Sequence, residues 1–291
     1  MPFTIKIADV SDPVIDLSLR QLIKEATNAT NLLPEKFLTA NLDSGSSRKS
    51  FFLVAVENGQ VIGCNAFLAY DFVINGIGHT GYQSCWTATH PQHQGKKVFS
   101  NLINEAKDML KREGAGFIYG IANDSSNPIF TKRLGFTETE TLVLRIPNLP
   151  GYKNSYLSGK AFPPVKNCVV NEEQVKAHKL LQYPNQIKEI RYNESWLWGK
   201  LLHKRKFGIR LPVFHVGGIS LSSAGDLKGL LTEVFRQYNI LFIQFVSCGS
   251  NTFNGSLKGW KKANMNGFIF YSLNIPEPEH LDLMVGVLDV F

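Results

Sequence analysis

Apolar and polar positions alternate in FTIKIA (Phe3–Ala8), which predicts a strand. They then recur at helical spacing through SDPVIDLSLRQLIKEAT, whose Ser-Asp pair and early proline suit a helix start. Pro34 to Ala40 predicts a second, shorter helix. From Ser50 to Thr89 long apolar runs are broken by Asn58–Gly59 and Asn75–Gly76. Each pair is a two-residue hairpin signal, so three antiparallel strands are expected in a row. Then the period changes. Val98, Phe99, Leu102, Ile103, Ala106, Met109 and Leu110 recur at three and four, giving a helix with one apolar face and Gly114 as its stop. GFIYGIA predicts a strand, SSNPIFTKRL a short helix and ETETLVLRI a closing strand. The order β-α-α-β-β-β-α-β-α-β spans residues 3–146, one domain's worth.

PNLPGYKNSYLSGKAFPP is rich in proline and glycine and is expected to connect two domains. Beyond it NEEQVKAHKLLQY and NESWLWGKLLHKRK are expected to be helical. PVFHVGGI, DLKGLLTEVFRQY, ILFIQFV, GSLKGWKKA and GFIFYSL follow as strand, helix, strand, helix, strand, the order already met between Tyr82 and Arg145. Laying the two copies together pairs Phe117–Ile118 with Phe242–Ile243 and Gly135–Phe136 with Gly267–Phe268, with seven extra residues in the second. This is a weak repeat. The expected organisation is a first domain at 1–147, a connector at 148–164 and a second module at 165–291.

Composition adds limits. Hydrophobic residues are 44% and charged residues 19% of 291, as in ordinary globular proteins. No apolar run reaches the ~18–20 residues of a membrane helix, so no membrane span is expected. MPFTIKIADVSDP lacks the basic start and apolar middle of a signal peptide. Cys64, Cys85, Cys168 and Cys248 form no CxxC or zinc pattern, so free thiols in a reducing cytoplasm and no metal are expected. The net charge of +7 favours anionic partners. Neither an RNA-binding aromatic signature nor zinc-finger spacing accompanies it, so no nucleic-acid partner is expected.

HPQHQGKKVFSNLI (His90–Ile103) carries the candidate chemistry. A strand entering a helix through a glycine turn aims several backbone N–H groups and the helix dipole at one spot, and a diphosphate would be held there. A plain solvated loop is the alternative. A P-loop is excluded, because the positions five before Gly95 and two after it are His90 and Lys97.

The hairpin sheet, this loop and helix, then a strand, a short helix and KRLGF resemble the GNAT superfamily of acyl-CoA N-acyltransferases. HPQHQGKKVF is similar to its coenzyme A loop, which begins with Gln or Arg and continues x-x-Gly-x-Gly/Ala. Gln94 matches the first position, while Lys97 and Phe99 stand at the two small-residue positions. NDSSNPIFTKRLGF resembles the second hallmark, with Leu134-Gly135-Phe136 matching and Thr131 where the pattern has tyrosine. The resemblance implies an α/β (α+β) fold of tandem GNAT-like modules, each a mixed, mostly antiparallel sheet flanked by helices, the second degenerate. It implies coenzyme A as co-substrate, with the sheet splaying beside the strand Ser84–His90. Trp86, Thr87, Ala88 and Thr89 would lie nearest the pantetheine arm, and Gln94, Gly95, Lys96, Lys97, Val98 and Phe99 would form the loop. Asn123 and Thr131 complete the implied cofactor contacts. No Asp or Glu lies between Phe72 and Asn104, so His79, Tyr82 and Gln83 are the candidate catalytic groups. An amine with a pKa near ~8 is already partly neutral at neutral pH, so a mechanism by positioning without a protein base is the alternative.

The second module's loop, GGISLSSAGDLKG, lacks the basic turn and puts Asp226 where a diphosphate would need positive charge. That half is expected to bind the acceptor or form an interface rather than hold coenzyme A. RYNESWLWGKLLHKRK and the ending GVLDVF resemble two-module GNAT proteins of surface-polysaccharide (O-antigen or capsule) pathways, which acylate nucleotide-linked amino sugars. This implies an acetyl or 3-hydroxybutanoyl donor and an acceptor such as a dTDP-3-amino-3,6-dideoxyhexose. Lys204, Arg205 and Lys206 would meet a second diphosphate, or else simply cover a helix end, and Trp196 and Trp198 would stack a base, although buried tryptophans in a helix are more often core. A homodimer is allowed. The rival classes are a Fem-type transferase using aminoacyl-tRNA and a binding protein that kept the fold without the chemistry.

Overall fold

A computed structural model describes residues 3–139, 141–148, 168–206, 209–223, 225–248, 260–263, 267–276 and 283–284. Both Asn-Gly pairs turn as their backbone chemistry allows, with φ of 49° and 80° at Asn58–Gly59 and 51° and 81° at Asn75–Gly76. Doubly left-handed turns of this kind match the twist of a hairpin. They join β2 (Phe51–Glu57), β3 (Gln60–Ile74) and β4 (Ile77–Thr89), while β1 (Thr4–Ile7) pairs antiparallel with β2. Helix α1 (Pro13–Thr27) starts where the Asp12 carboxylate accepts the Val14 N–H at 2.8 Å, and α2 is Phe37–Leu42. A 3-10 turn at Pro91–His93 leads into α3 (Val98–Arg112), which stops at Gly114 with φ of 74°. Then come β5 (Phe117–Ile121), α4 (Asn127–Arg133) and β6 (Thr137–Thr139).

The second half contains β7 (Thr141–Pro147), β8 (Cys168–Val170), α5 (Glu172–Gln182), β9 (Ile187–Tyr192), β10 (Ser195–Lys206) and β11 (Ile209–Ser220). It continues with α6 (Asp226–Gln237), β12 (Phe242–Cys248), β13 (Trp260–Ala263), β14 (Phe268–Ser272) and β15 (Leu283–Met284). The fold is a mixed α/β structure of two sheets flanked by helices, one in each of two compact units.

In the first unit Leu19, Leu22 and Ile23 of α1 and Leu38 of α2 pack with Phe52, Val54, Cys64 and Ala66. Val98, Leu102, Ile103, Ala106 and Leu110 of α3 pack in a second cluster with Leu53, Ala55, Ile62 and Ile118. Helices therefore cover both faces, which is why β2 and β3 read as near-continuous apolar runs. In the second unit α6 packs Leu227, Leu230, Leu231 and Val234 against Leu197, Phe214, Val216 and Ile243.

The two sheets exchange strands. The first runs β1-β2-β3-β4-β5-β14-β6, and the second β13-β7-β12-β11-β10-β9. ETETLVLRI is thus two strands rather than one closing strand, and its longer part, β7, lies between β12 and β13. The position that β7 holds in one sheet is held in the other by β14. By place in the sheet, β6 therefore corresponds to β13, so the expected match of Gly135–Phe136 with Gly267–Phe268 is displaced by one strand.

NESWLWGKLLHKRK is a strand, not the helix its spacing suggested. Asn193 turns with φ of 51°, and β9 and β10 pair from Tyr192–Ser195 onward as a hairpin. Asn at the first turn position tolerates the left-handed conformation, and burial of Leu197, Trp198 and Gly199 against neighbouring strands overrides the helical spacing. The helix expected through GSLKGWKKA is also corrected, since Trp260–Ala263 is β13. Most of the expected connector and the ending GVLDVF lie outside the described residues.

Candidate active site

The site of the first unit begins where two strands part. β4 and β5 pair in parallel at Gly81–Phe117, Tyr82–Ile118 and Gln83–Tyr119. β4 then runs on to Thr89 and β5 to Ile121. At the next row Gly120 still approaches β4 so closely that a Cβ there would lie 2.9 Å from the Ser84 carbonyl oxygen. Trp86 has φ of 49°, a conformation that a bulky residue holds only when its surroundings impose it. Its ring packs edge-on against Phe37 at 5.3 Å, and its carbonyl accepts the Cys64 thiol. Beneath this irregularity lies Asn65, fully buried in β3, bonded to Ser84 Oγ at 3.1 Å and to the Thr87 hydroxyl. Sequence reasoning missed Asn65. A lone amide inside the apolar run VIGCNAFLAY was the available signal, since a buried polar group needs partners.

Past the parting, Thr87 is exposed, Ala88 buried and Thr89 half-buried. The loop that follows is tied to itself by the His93 N–H to the His90 carbonyl at 2.8 Å and the Lys96 N–H to the His93 carbonyl at 3.4 Å. Gln94 is extended and exposed, and Gly95 has φ of 77°. Lys97 occupies the N-cap of α3 in the left-handed region, φ 62° and ψ 16°, with no side-chain cap. The first helical bond runs from the Asn101 N–H to the Lys97 carbonyl. The preceding N–H groups of Val98, Phe99 and Ser100 therefore meet no carbonyl of the helix. The result is an uncapped positive helix end beside two exposed lysines. Lys96 spends its own N–H inside the loop.

Lys97 shows why a small residue suits this position. Glycine enters the left-handed region without the Cβ penalty that lysine carries. Lys97→Gly relieves about 1–2 kcal/mol of left-handed strain against about 0.5–1 kcal/mol of added chain entropy, so it is expected to raise stability slightly and to retain coenzyme A affinity, measured by urea unfolding and calorimetry. Markedly weaker binding would show that the ammonium group, not the backbone, holds the anion. Phe99 is turned away from the loop and packs edge-on against Phe130 of α4 at 5.1 Å.

Asn123 caps α4. Its side-chain oxygen accepts the N–H groups of Ser125 at 3.1 Å and Ser126 at 2.9 Å. Only its amide N–H groups are left for a ligand. The Thr131 hydroxyl donates to the Asn127 carbonyl at 2.9 Å, within its own helix. Of the candidate catalytic groups, His79 lies near the start of β4 against Gly116, far along the strand from the parting. Gln83 is buried in the last paired row. Tyr82 is buried with its hydroxyl 3.4 Å from the Lys49 carbonyl, and burial first, then the charge of Glu113, pushes its pKa up to about 12. A phenol so placed is a poor base at neutral pH.

A cavity of about 330 Å³ is lined in part by Thr39, Leu42, Asp43, Ser44, Arg48 and Lys49, the last of which meets the Tyr82 hydroxyl through its carbonyl. Ser50 on its wall accepts the Ala69 N–H of β3 at 3.0 Å. The loop before β2 is anchored by Asp71, which accepts from Ser46 Oγ at 2.8 Å, the Ser47 N–H at 3.1 Å and Thr80 Oγ1 at 3.3 Å. Burial works to raise the Asp71 pKa, but these donors together outweigh it and hold the carboxyl below its ordinary value. A depressed folded pKa adds stability above the unfolded value, and that stability is lost as pH falls through the folded value. Asp71→Asn is therefore expected to narrow the gap in melting temperature between neutral and acid pH, read by scanning calorimetry. An unchanged gap would remove Asp71 from the acid response.

In the second unit β11 and β12 also pair over three rows, ending at His215–Gln244, before continuing apart. There the helix end is already occupied. Asp226 opens α6 and its carboxylate accepts from Ser195 Oγ and Asn193 Nδ2, each at 2.7 Å. These bonds hold its pKa below the ordinary value, Ser195 contributing most. A diphosphate would meet a fixed carboxylate. Trp198 is fully buried, its indole lying where a Cβ on Gly217 or Gly218 would go, which takes it out of reach as a base-stacking surface. Trp196 is half-buried, with the Lys176 ammonium 4.9 Å from its ring centre. Lys204, Arg205 and Lys206 form the backbone end of β10, and their side chains lie outside what the structure describes.

Residues 28–139 match the family model described as an acetyltransferase (GNAT) domain. Among curated proteins none matches the sequence significantly. A GCN5-related N-acetyltransferase from Kribbella flavida shares the fold at 11% identity and a TM-score of 0.63, over 94% of this chain and 72% of that one. Another from Anabaena variabilis does so at 12% identity and a TM-score of 0.62, over 93% and 73%. At such identities the likeness shows fold alone, and it extends through both units. Among the described residues no helix is long and apolar enough to cross a membrane. The match to an acetyltransferase (GNAT) domain thus falls almost wholly on the first unit, the one that contains the parted strands.

Proposed function

We propose that the protein moves an acetyl or 3-hydroxybutanoyl group from coenzyme A to the amino group of a nucleotide-linked amino sugar, such as a dTDP-3-amino-3,6-dideoxyhexose, in surface-polysaccharide synthesis. The observation that carries acyl transfer is the parting of β4 from β5 directly upstream of an uncapped, lysine-flanked helix end. The edge of β4 that faces β5 is unpaired by it after Gln83, so an extended pantetheine arm can add to it as a strand would. The pyrophosphate then falls at the α3 amides and the thioester near the parting. A β4 backbone N–H there can stabilise the oxyanion as the amine attacks.

His79 is remote and Tyr82 buried, so the amine's proton leaves through water, and rate comes from positioning. The cavity beside Arg48 and Lys49 supplies an entry for an anionic, hydroxylated acceptor, in keeping with the net charge of +7. The sugar-nucleotide class rests on the sequence resemblance and this charge; Trp198 no longer supports it. Mass spectrometry of acetyl- and 3-hydroxybutanoyl-CoA against dTDP- and UDP-linked amino sugars tests it. Product formed only from free amines or peptides would remove the sugar-nucleotide assignment. Thr131, bonded within its helix, offers no acid to the leaving thiolate, which favours a binding protein as the second reading. Coenzyme A binding without turnover of any amine would establish that one.

A further inference from the structure

The phosphate loop carries two histidines, and each faces a carboxylate from an element that the loop packs against. His90 Nε2 lies 3.5 Å from Glu25 Oε2, on the last turns of α1. His93 Nδ1 lies 3.5 Å from Glu57 Oε2, the last residue of β2. The two rings meet edge to face at 5.6 Å. His90 Nδ1 accepts the Gln92 N–H at 3.3 Å, which leaves Nε2 to carry its proton toward Glu25. His93 Nδ1 is buried with no hydrogen bond, and its side chain is 13% exposed against 21% for that of Glu57. The other charged groups on the loop, Lys96 and Lys97, are exposed.

This arrangement puts two carboxylates one imidazole away from a loop built for an anion. With neutral rings, Glu25 and Glu57 oppose a diphosphate. With protonated rings, each becomes half of an ion pair, and the loop is also drawn onto α1 and β2. We propose that His93, with His90 beside it, is a positioning residue of the acyl-CoA loop: its pairing with Glu57 sets anion affinity, which falls as the imidazoles lose their protons. This rests on the loop being the coenzyme A site. The sign follows from charge alone, because an imidazolium neutralises a facing carboxylate and a neutral imidazole does not. His93 touches no reacting atom, so binding should change while the chemical step does not.

Calorimetry with dephospho-CoA, which lacks the titrating 3′-phosphate, tests this at about pH 6 and about pH 8.5. Wild type is expected to bind about fivefold more weakly at the higher pH, the scale of a partly buried ion pair. His93→Gln should bind about fivefold more weakly at the lower pH and show little further loss on raising it. The double variant His93→Gln/Glu57→Gln, with both charges gone, should recover affinity and be less pH-dependent than wild type. Acyl-CoA KM should follow these changes with kcat constant, and thermal unfolding of each variant checks its fold. A His93→Gln profile parallel to wild type, or a double variant as weak as the single one, would overturn the proposal and leave the coenzyme A reading standing. Failure of wild type to bind either CoA or dephospho-CoA would overturn both.

Discussion

Trp198→Ala is expected to remove about 3–5 kcal/mol of stability, the range for truncating a large buried aromatic. The indole is fully enclosed in β10 and lies against Gly217 and Gly218 of β11, where even one added Cβ would come within 2.4 Å of a ring atom or the indole nitrogen. Two glycines in succession form the floor of its pocket. Removing the ring leaves that floor with no side chain able to fill the space. Trp196→Ala, at a half-buried position on the same strand, should have a much smaller effect. Urea unfolding of the two variants measures the difference. A Trp198→Ala protein as stable as wild type but defective only in acceptor affinity would restore the nucleotide-stacking role that burial argues against.

Gly95→Val should lower kcat/KM for acyl-CoA by about 10–100-fold, or about 1.4–2.8 kcal/mol of transition-state stabilisation. Nothing lies within 4 Å of a Cβ at Gly95, so the substitution meets no steric obstacle. What it meets is the backbone: φ of 77° is closed to a β-branched residue. The chain relieves the strain by turning the peptide on one side of the glycine. That movement re-aims the amides leading to Val98, whose direction the anion site depends on. Global stability should change little, because the loop is exposed and packs no core. Kinetics beside a melting curve separate the two effects. An unaltered KM would mean that the phosphates are held away from this turn.

Much of the first unit was legible because its signals are local. Asn58–Gly59 and Asn75–Gly76 announce hairpins, and Gly114 announces the end of α3. The hairpin at Asn193–Glu194 was not legible, since glutamate in the second position masks the turn and the leucine spacing beyond it suits a helix. Trp86 is the sharpest case. A bulky aromatic is the last residue expected at positive φ, and only Phe37, Cys64 and Asn65 around it make the conformation necessary. At Lys97 the departure from a small residue was visible in the sequence, but its meaning as a left-handed cap was not. The pairs His90–Glu25 and His93–Glu57 join residues far apart in sequence, and no periodicity records them.

The exchange of β7 and β14 bears on how the protein is made. While the chain emerges from a ribosome, the residues matching the acetyltransferase domain are released long before Phe268–Ser272. Until then the gap between β5 and β6 has no strand to fill it, and the edge of the apolar strand β5 stays open. Pairings of such wide sequence separation form slowly, and unpaired edges invite association meanwhile. A gene shortened to encode residues 1–147 would produce that unfinished sheet permanently, with β7 left without its neighbours β12 and β13.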